Sequence, residues 1–193
     1  MHSVTKILRE TANNAAIKKW IERVGEDEAE IIRQSSLTRG LRFDYNLQQY
    51  FKNGVIADCP LFNQVWQVLT DFDQHLYSEK FVIHTLGFTG RLDYIGKLPD
   101  GTLRLIDWKT ASASKQEDWM TDAFLQVAAY VKAAENTLDI KISSGEVVVC
   151  VEGGQIPQRF PLDKKKLDRF FDQFLVRFDQ YLAQKNVSIN SEW

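Results

Sequence analysis

Asp107 and Lys109 stand two positions apart in RLIDWKT, residues 104–110, a run that otherwise reads as a buried strand. Residues two apart share one face of a strand. Leu103, Leu105, Asp107 and Lys109 therefore point one way, and Arg104, Ile106, Trp108 and Thr110 the other. The Pro99–Gly101 turn folds the preceding RLDYIGK strand back on this one. With Asp100 at its centre, Asp93 falls directly opposite Asp107, where facing Cβ atoms are about 4.5–5.5 Å apart. Two close carboxylates raise each other's pKa unless a cation intervenes. Hard oxygen ligands suit Mg²⁺ or Mn²⁺. Such an ion polarises a phosphoryl oxygen and acidifies a bound water. Lys109 would orient or help deprotonate that water, or stabilise charge growing on phosphate. The chemistry is metal-dependent hydrolysis of a phosphodiester. Taken alone, D-x-K also describes a surface ion pair of little energetic worth, so the rest of the pattern has to decide.

The elements that must position these residues are legible in texture. At 193 residues, 44% hydrophobic and 26% charged, the chain suits one domain with a real core. A net charge of −2 argues against a protein held on nucleic acid by bulk positive charge. It leaves room for a local basic groove. Cys59 and Cys150 show no CxxC spacing, which fits two reduced thiols in a cytosolic protein rather than a disulfide framework, a zinc knuckle or an iron–sulfur site. No apolar run approaches the roughly 20 residues of a membrane span. The first residues lack the apolar core of a secretory signal, so a cytoplasmic location, bacterial or in a phage-infected host, is expected.

Residues 1–76 read as mainly helical, with Gly25 as an interruption, a cap around Ser35 and Thr38, and a stop at Asn53-Gly54. PLFNQVWQVLTDFDQHL follows as a further helix with Pro60 in its first turn. Residues 77–193 read as an α/β core. EKFVIHTLGFTGRLDYIGKLPDGTLRLIDWKT gives three strands, EDWMTDAFLQVAAYVKAAENT a helix, GEVVVCVEG a central strand, and LDKKKLDRFFDQFLVRFDQYLAQK a closing helix. The fold class is α/β, a single domain with a mixed central sheet flanked by helices and an N-terminal helical region.

Gly90-Arg91-Leu92-Asp93, a hairpin, Ile106-Asp107-Trp108-Lys109-Thr110 and then Gln126-x-x-x-Tyr130 together resemble the PD-(D/E)XK nuclease superfamily in its RecB-like exonuclease branch. SVTKIL, GLRFDYNLQQYF, VIHTLGFTGRLD and LQVAAY extend the resemblance, in order, to mitochondrial genome-maintenance exonucleases and their phage and bacterial relatives. The resemblance implies a restriction-endonuclease-like core. It implies Mg²⁺ or Mn²⁺ held by Asp93, Asp107 and the backbone carbonyl of Trp108, with Lys109 catalytic. Gln126 and Tyr130 would lie beside the site. The implied substrate is DNA, single-stranded or with free ends or flaps, in replication, repair, recombination or phage DNA metabolism.

Relatives commonly carry Gly-x-x-x-His followed four residues later by Glu; here those places hold Asp44 and Gln48. Asp44 is a candidate metal ligand or a solvated helix acid. Glu79, ahead of His84, is the candidate for a further family glutamate. Arg39, Arg42, Arg91, Lys115 and the run Lys164–Lys166 are candidate DNA contacts; Arg91 also reads as structural, and the lysine run as a solvated first turn. Three readings stand: a metal-dependent exonuclease, a structure-selective endonuclease, and a catalytically weak DNA-binding recombination accessory. The intact Asp93, Asp107 and Lys109 argue against the third, while Asp44 and Gln48 keep it open. With no P-loop or helicase motif, ATP-driven degradation would need a replication or recombination partner. Oligomeric state is left open.

Overall fold

The computed structural model describes residues 1–190, with side chains through residue 186. Residues 191–193, part of the expected single domain, lie outside the described residues. A two-residue strand β1 (His2–Ser3) leads into α1 (Val4–Glu10). Helices α2 (Ala15–Val24) and α3 (Glu26–Asn53) form a hairpin about Gly25, whose φ of 91° suits glycine. The expected cap at Ser35 and Thr38 does not exist: α3 runs unbroken through both. The Ser36 hydroxyl instead accepts a hydrogen bond from the Arg39 guanidinium, so a residue type that often caps helices sits on an exposed face. Gly54, in the left-handed region, ends the helix as expected.

Helix α4 (Pro60–Leu69) places Pro60 in its first turn. It stops well short of Leu76, because Gln74 already opens β2 (Gln74–Ile83). Strands β3 (Phe88–Lys97) and β4 (Leu103–Ala111) follow, then a short 3₁₀ turn (Glu117–Met120) and α5 (Thr121–Leu138). The chain ends in β5 (Ser144–Val151), β6 (Gln158–Leu162) and α6 (Lys164–Asn190). In the β3–β4 turn, Asp100 Oδ1 accepts the Thr102 N–H, and Gly101 adopts a φ of 84°.

The sheet is mixed. Its order is β1-β3-β4-β5-β6, with β2 on the other edge of β3. Strands β4 and β5 are parallel, as are β1 and β3; the remaining pairs are antiparallel. β1 meets β3 only at Phe88 and Thr89, and β4 meets it only from Tyr94 to Lys97. Residues 90–93 of that edge are left open between them, and the site lies at this notch.

Two apolar layers cover the sheet. Ile95, Leu105 and Val147 pack with α1, α5 and α6 on one face; Tyr94, Ile106, Trp108 and Val148 pack with α4 and the second half of α3 on the other. Burying such faces supplies most of the driving force for folding. Among the described residues no helix is long and apolar enough to cross a membrane.

Candidate active site

Strand β4 carries Asp107 and Lys109 toward α5. Asp107 is 1% exposed. Lys109 Nζ lies 2.7 Å from Asp107 Oδ2 and donates to Gln126 Oε1 at 3.4 Å. Apart from that ammonium beside Oδ2, neither buried Asp107 oxygen has a hydrogen-bond partner. Trp108, between them, turns its ring into the opposite apolar layer and is 4% exposed, as alternation requires.

The β3–β4 register expected from the turn holds wherever the strands pair: Tyr94 faces Ile106 and Ile95 faces Leu105. The ladder stops there, one step before Asp93 and Asp107. Asp93 takes over the main-chain donor that the ladder leaves: its Oδ2 accepts the Trp108 N–H at 2.8 Å.

Alternation along β3 also slips by one at Asp93. Leu92 and Ile95 both belong to the layer under α5, whereas Tyr94 belongs to the other. Ser78 faces Tyr94 and Lys80 faces Leu92, while the intervening Glu79 has a φ of 50°. A non-glycine residue in the left-handed region is a local strain of the kind that gathers at functional sites.

Burial raises the Asp93 pKa well above the ordinary carboxylate range, and the Asp107 charge adds to it; Lys109 and the Trp108 N–H oppose the shift. Burial raises Asp107 too, with Lys109 opposing. Burial works against the Lys109 ammonium, but the charges of Asp107 and Asp93 outweigh it and raise its pKa. The pair thus has one counter-ion for two buried acids.

A cleft of about 790 Å³ opens at Asp93 between α3 and α5. Asp44 and Gln48 enter it from α3, Glu79 and Arg91 from the β2–β3 hairpin, and Gln126 and Tyr130 from α5. Gln48 Nε2 donates to Glu79 Oε2 at 3.5 Å, and Arg91 Nε is 3.4 Å from the same oxygen. Burial raises the Asp44 and Glu79 carboxyls. Tyr130 packs where Gly90 has no side chain: a Cβ there would lie 2.4 Å from the tyrosine ring.

The profile of the PD-(D/E)XK nuclease superfamily matches residues 4–192. The chain belongs to this superfamily. It is 25% identical over 203 aligned positions to mitochondrial genome maintenance exonuclease 1 of Xenopus tropicalis, covering 95% of this chain. The chain spans 58% of the length of that curated relative. Among solved structures, a candidate exonuclease from Eubacterium rectale superposes with a TM-score of 0.52 at 11% identity, over 78% of this chain and 67% of the other. That likeness concerns the fold, which is the mixed sheet between helices expected of a PD-(D/E)XK core.

PD-(D/E)XK nucleases generally use divalent metals, and the residues here fit such an ion. Two buried Asp107 oxygens lack a hydrogen bond, and Asp93 stands beside them as a second hard ligand. Among the described residues, no three His, Cys, Asp or Glu side chains form a metal-holding group. Asp44 shares the cleft with Asp93 and the electrostatic field of Asp107 and Lys109.

The other expected DNA contacts lie elsewhere. Arg39 and Arg42 line a separate cavity of about 630 Å³ beside Cys59 and Glu152. Arg39 is spent on Glu152 at 2.9 Å, with its side chain 9% exposed. Lys115 lies in the loop after β4, its main chain clasped by the Gln158 side chain through hydrogen bonds of 2.7 and 3.0 Å. His84 stacks on Phe88 outside the cleft. Lys164 and Lys166 pair with Asp168 and Glu117. Arg91, a candidate DNA contact that also read as structural, is an exposed wall of the cleft, and Phe81 is a second wall residue that sequence reading missed.

Proposed function

We propose that the chain is a Mg²⁺- or Mn²⁺-dependent DNA exonuclease that hydrolyses phosphodiester bonds from free ends, with a preference for single strands or flaps. The observation that carries this reading is the convergence of Asp93, Asp107 and Lys109 at the notch in the sheet, with both Asp107 oxygens buried and without a hydrogen bond. Asp93, Asp107 and the Trp108 carbonyl would hold the ion, with waters completing its shell. When bound, the ion supplies Lewis-acid polarisation of the phosphate and a more acidic water.

The protein's own residues do the rest. Lys109, held between Asp107 and Gln126, orients the attacking water and stabilises charge on phosphate. Gln126 keeps that ammonium aimed. Tyr130, seated on Gly90, closes the floor of the cleft. Asp44 and Glu79 line the cleft beside the pair, where Asp44 would be a further candidate ligand for the ion. All of this is assembled in one nuclease domain, whose helical first third supplies one wall of the cleft.

The test is digestion of a labelled linear single strand against a circular one of the same sequence, with Mg²⁺ or Mn²⁺ present. An enzyme that needs ends shortens the linear strand and spares the circle. Cleavage of the circle would make it an endonuclease, and binding without cleavage of either would make it an accessory protein.

A further inference from the structure

We propose that Phe81 and Arg91 form a nucleotide subsite on the outer face of the β2–β3 hairpin, in which Arg91 takes a backbone phosphate and Phe81 stacks on the unpaired base attached to it. This subsite rests on the DNA-nuclease reading above and extends it to a place where the strand is gripped.

The two residues are direct cross-strand partners in the antiparallel β2–β3 pair. Their side chains leave the sheet on one face, with Cβ atoms about 4.5–5.5 Å apart. Both line the cleft that holds Asp93, and both are open to solvent: Phe81 is 55% exposed and the Arg91 side chain 63%. Their flanking neighbours Val82 and Leu92 are wholly buried on the other face, so the hairpin is anchored and the outer pair is free of packing duty.

Charge completes the case. Asp44, Glu79 and Asp93 line the cleft with Arg91. A polyanionic strand approaching that wall meets more carboxylates than cations, and Arg91 is the exposed cation there. Its contact with Glu79 at 3.4 Å is an ion pair without a hydrogen bond. An ion pair that lacks a hydrogen bond and has one partner open to solvent is weak, so a phosphate, which a guanidinium can grip with two hydrogen bonds, displaces Glu79 readily. An exposed aromatic beside a phosphate-binding cation is the combination that holds single strands without reading sequence.

The experiment measures binding of a fluorescent oligodeoxythymidylate to the full chain in EDTA, across a potassium chloride series. Wild type is compared with Arg91→Ala, Phe81→Ala and Phe81→Trp, and each is tested again on an oligonucleotide with abasic positions. Arg91→Ala should reduce the slope of log affinity against log salt by about 0.7, one phosphate contact on a single strand. Phe81→Ala should leave that slope unchanged and weaken binding roughly 5- to 150-fold. That loss should vanish on the abasic strand, and Phe81→Trp should restore affinity on the normal one. Melting curves check that both exposed positions leave the fold intact. An unchanged slope for Arg91→Ala together with wild-type affinity for Phe81→Ala overturns the subsite while leaving the nuclease reading standing. A wild-type chain that neither binds this strand nor cuts it with metal present overturns both.

Discussion

The Asp93 carboxylate accepts the main-chain N–H of Trp108 at 2.8 Å, so the first acid of the site is held by the strand that carries the second. Two buried carboxylates are thereby fixed next to each other by covalent and hydrogen-bonded structure, whatever their mutual repulsion. The ladder between β3 and β4 ends one step earlier, at Tyr94 and Ile106. The strand edge beyond it is free to face a substrate.

The repulsion has a measurable consequence for stability. An acid whose pKa is raised in the folded state stabilises the fold while protonated, and that contribution fades as pH climbs through the raised value. Asp93 and Asp107 are both raised from 3.8 by burial. The metal-free chain should therefore melt at progressively lower temperature between about pH 5 and about pH 9. Added Mg²⁺ at a hundred times its dissociation constant should add about 2.7 kcal/mol. Asp107→Asn should flatten the pH profile in EDTA; an equally steep profile in that variant would show that the pair is not its source.

Gly90 makes room for Tyr130, since a Cβ would fall 2.4 Å from the ring. Gly90→Ala should cost about 1–3 kcal/mol of stability and lower digestion, because Tyr130 must shift beside Gln126. The double variant Gly90→Ala with Tyr130→Ala should be less destabilised than the two single effects summed. Denaturant titration of the four proteins measures the coupling, and strict additivity would rule out the packing account.

Glu79 sits opposite Asp93 with a φ of 50°. The left-handed conformation costs a side-chain-bearing residue about 1–2 kcal/mol, while glycine adds about 0.4–1 kcal/mol of unfolded-state entropy. Glu79→Gly should leave the melting temperature unchanged or raise it, and slow digestion by removing a rim carboxylate. Glu79→Val should destabilise by about 1–3 kcal/mol. Equal losses for Gly and Val would mean that no strain is stored there.

Much of this site was legible because one turn carries so much information. Pro99, Asp100 and Gly101 set a hairpin centre, and the observed pairing of Ile95 with Leu105 follows from it. What was not legible has physical reasons. His2–Ser3 is too short to show a period, and Gln158–Leu162 contains Pro161, which suits a sheet edge and masks a strand. Ser35 and Thr38 look like a cap but lie on an exposed side of one long helix, where nothing in the local sequence forbids continuation. Arg39 is close to Asp44 in sequence, yet the helix turns it to the other side and into its pair with Glu152. Phe81 lies on β2, where no motif in the sequence ties it to the site, so its place on the cleft wall was not legible.

Replacing Lys109 tests the centre most directly. Purified wild type and Lys109→Ala are incubated with an end-labelled single strand and Mn²⁺ or Mg²⁺, and product lengths are followed in time, with circular dichroism confirming the fold. Removing this cation should slow digestion by at least about a hundredfold, with Asp107→Asn behaving alike. Lys109→Ala digesting the strand as fast as wild type would contradict the mechanism.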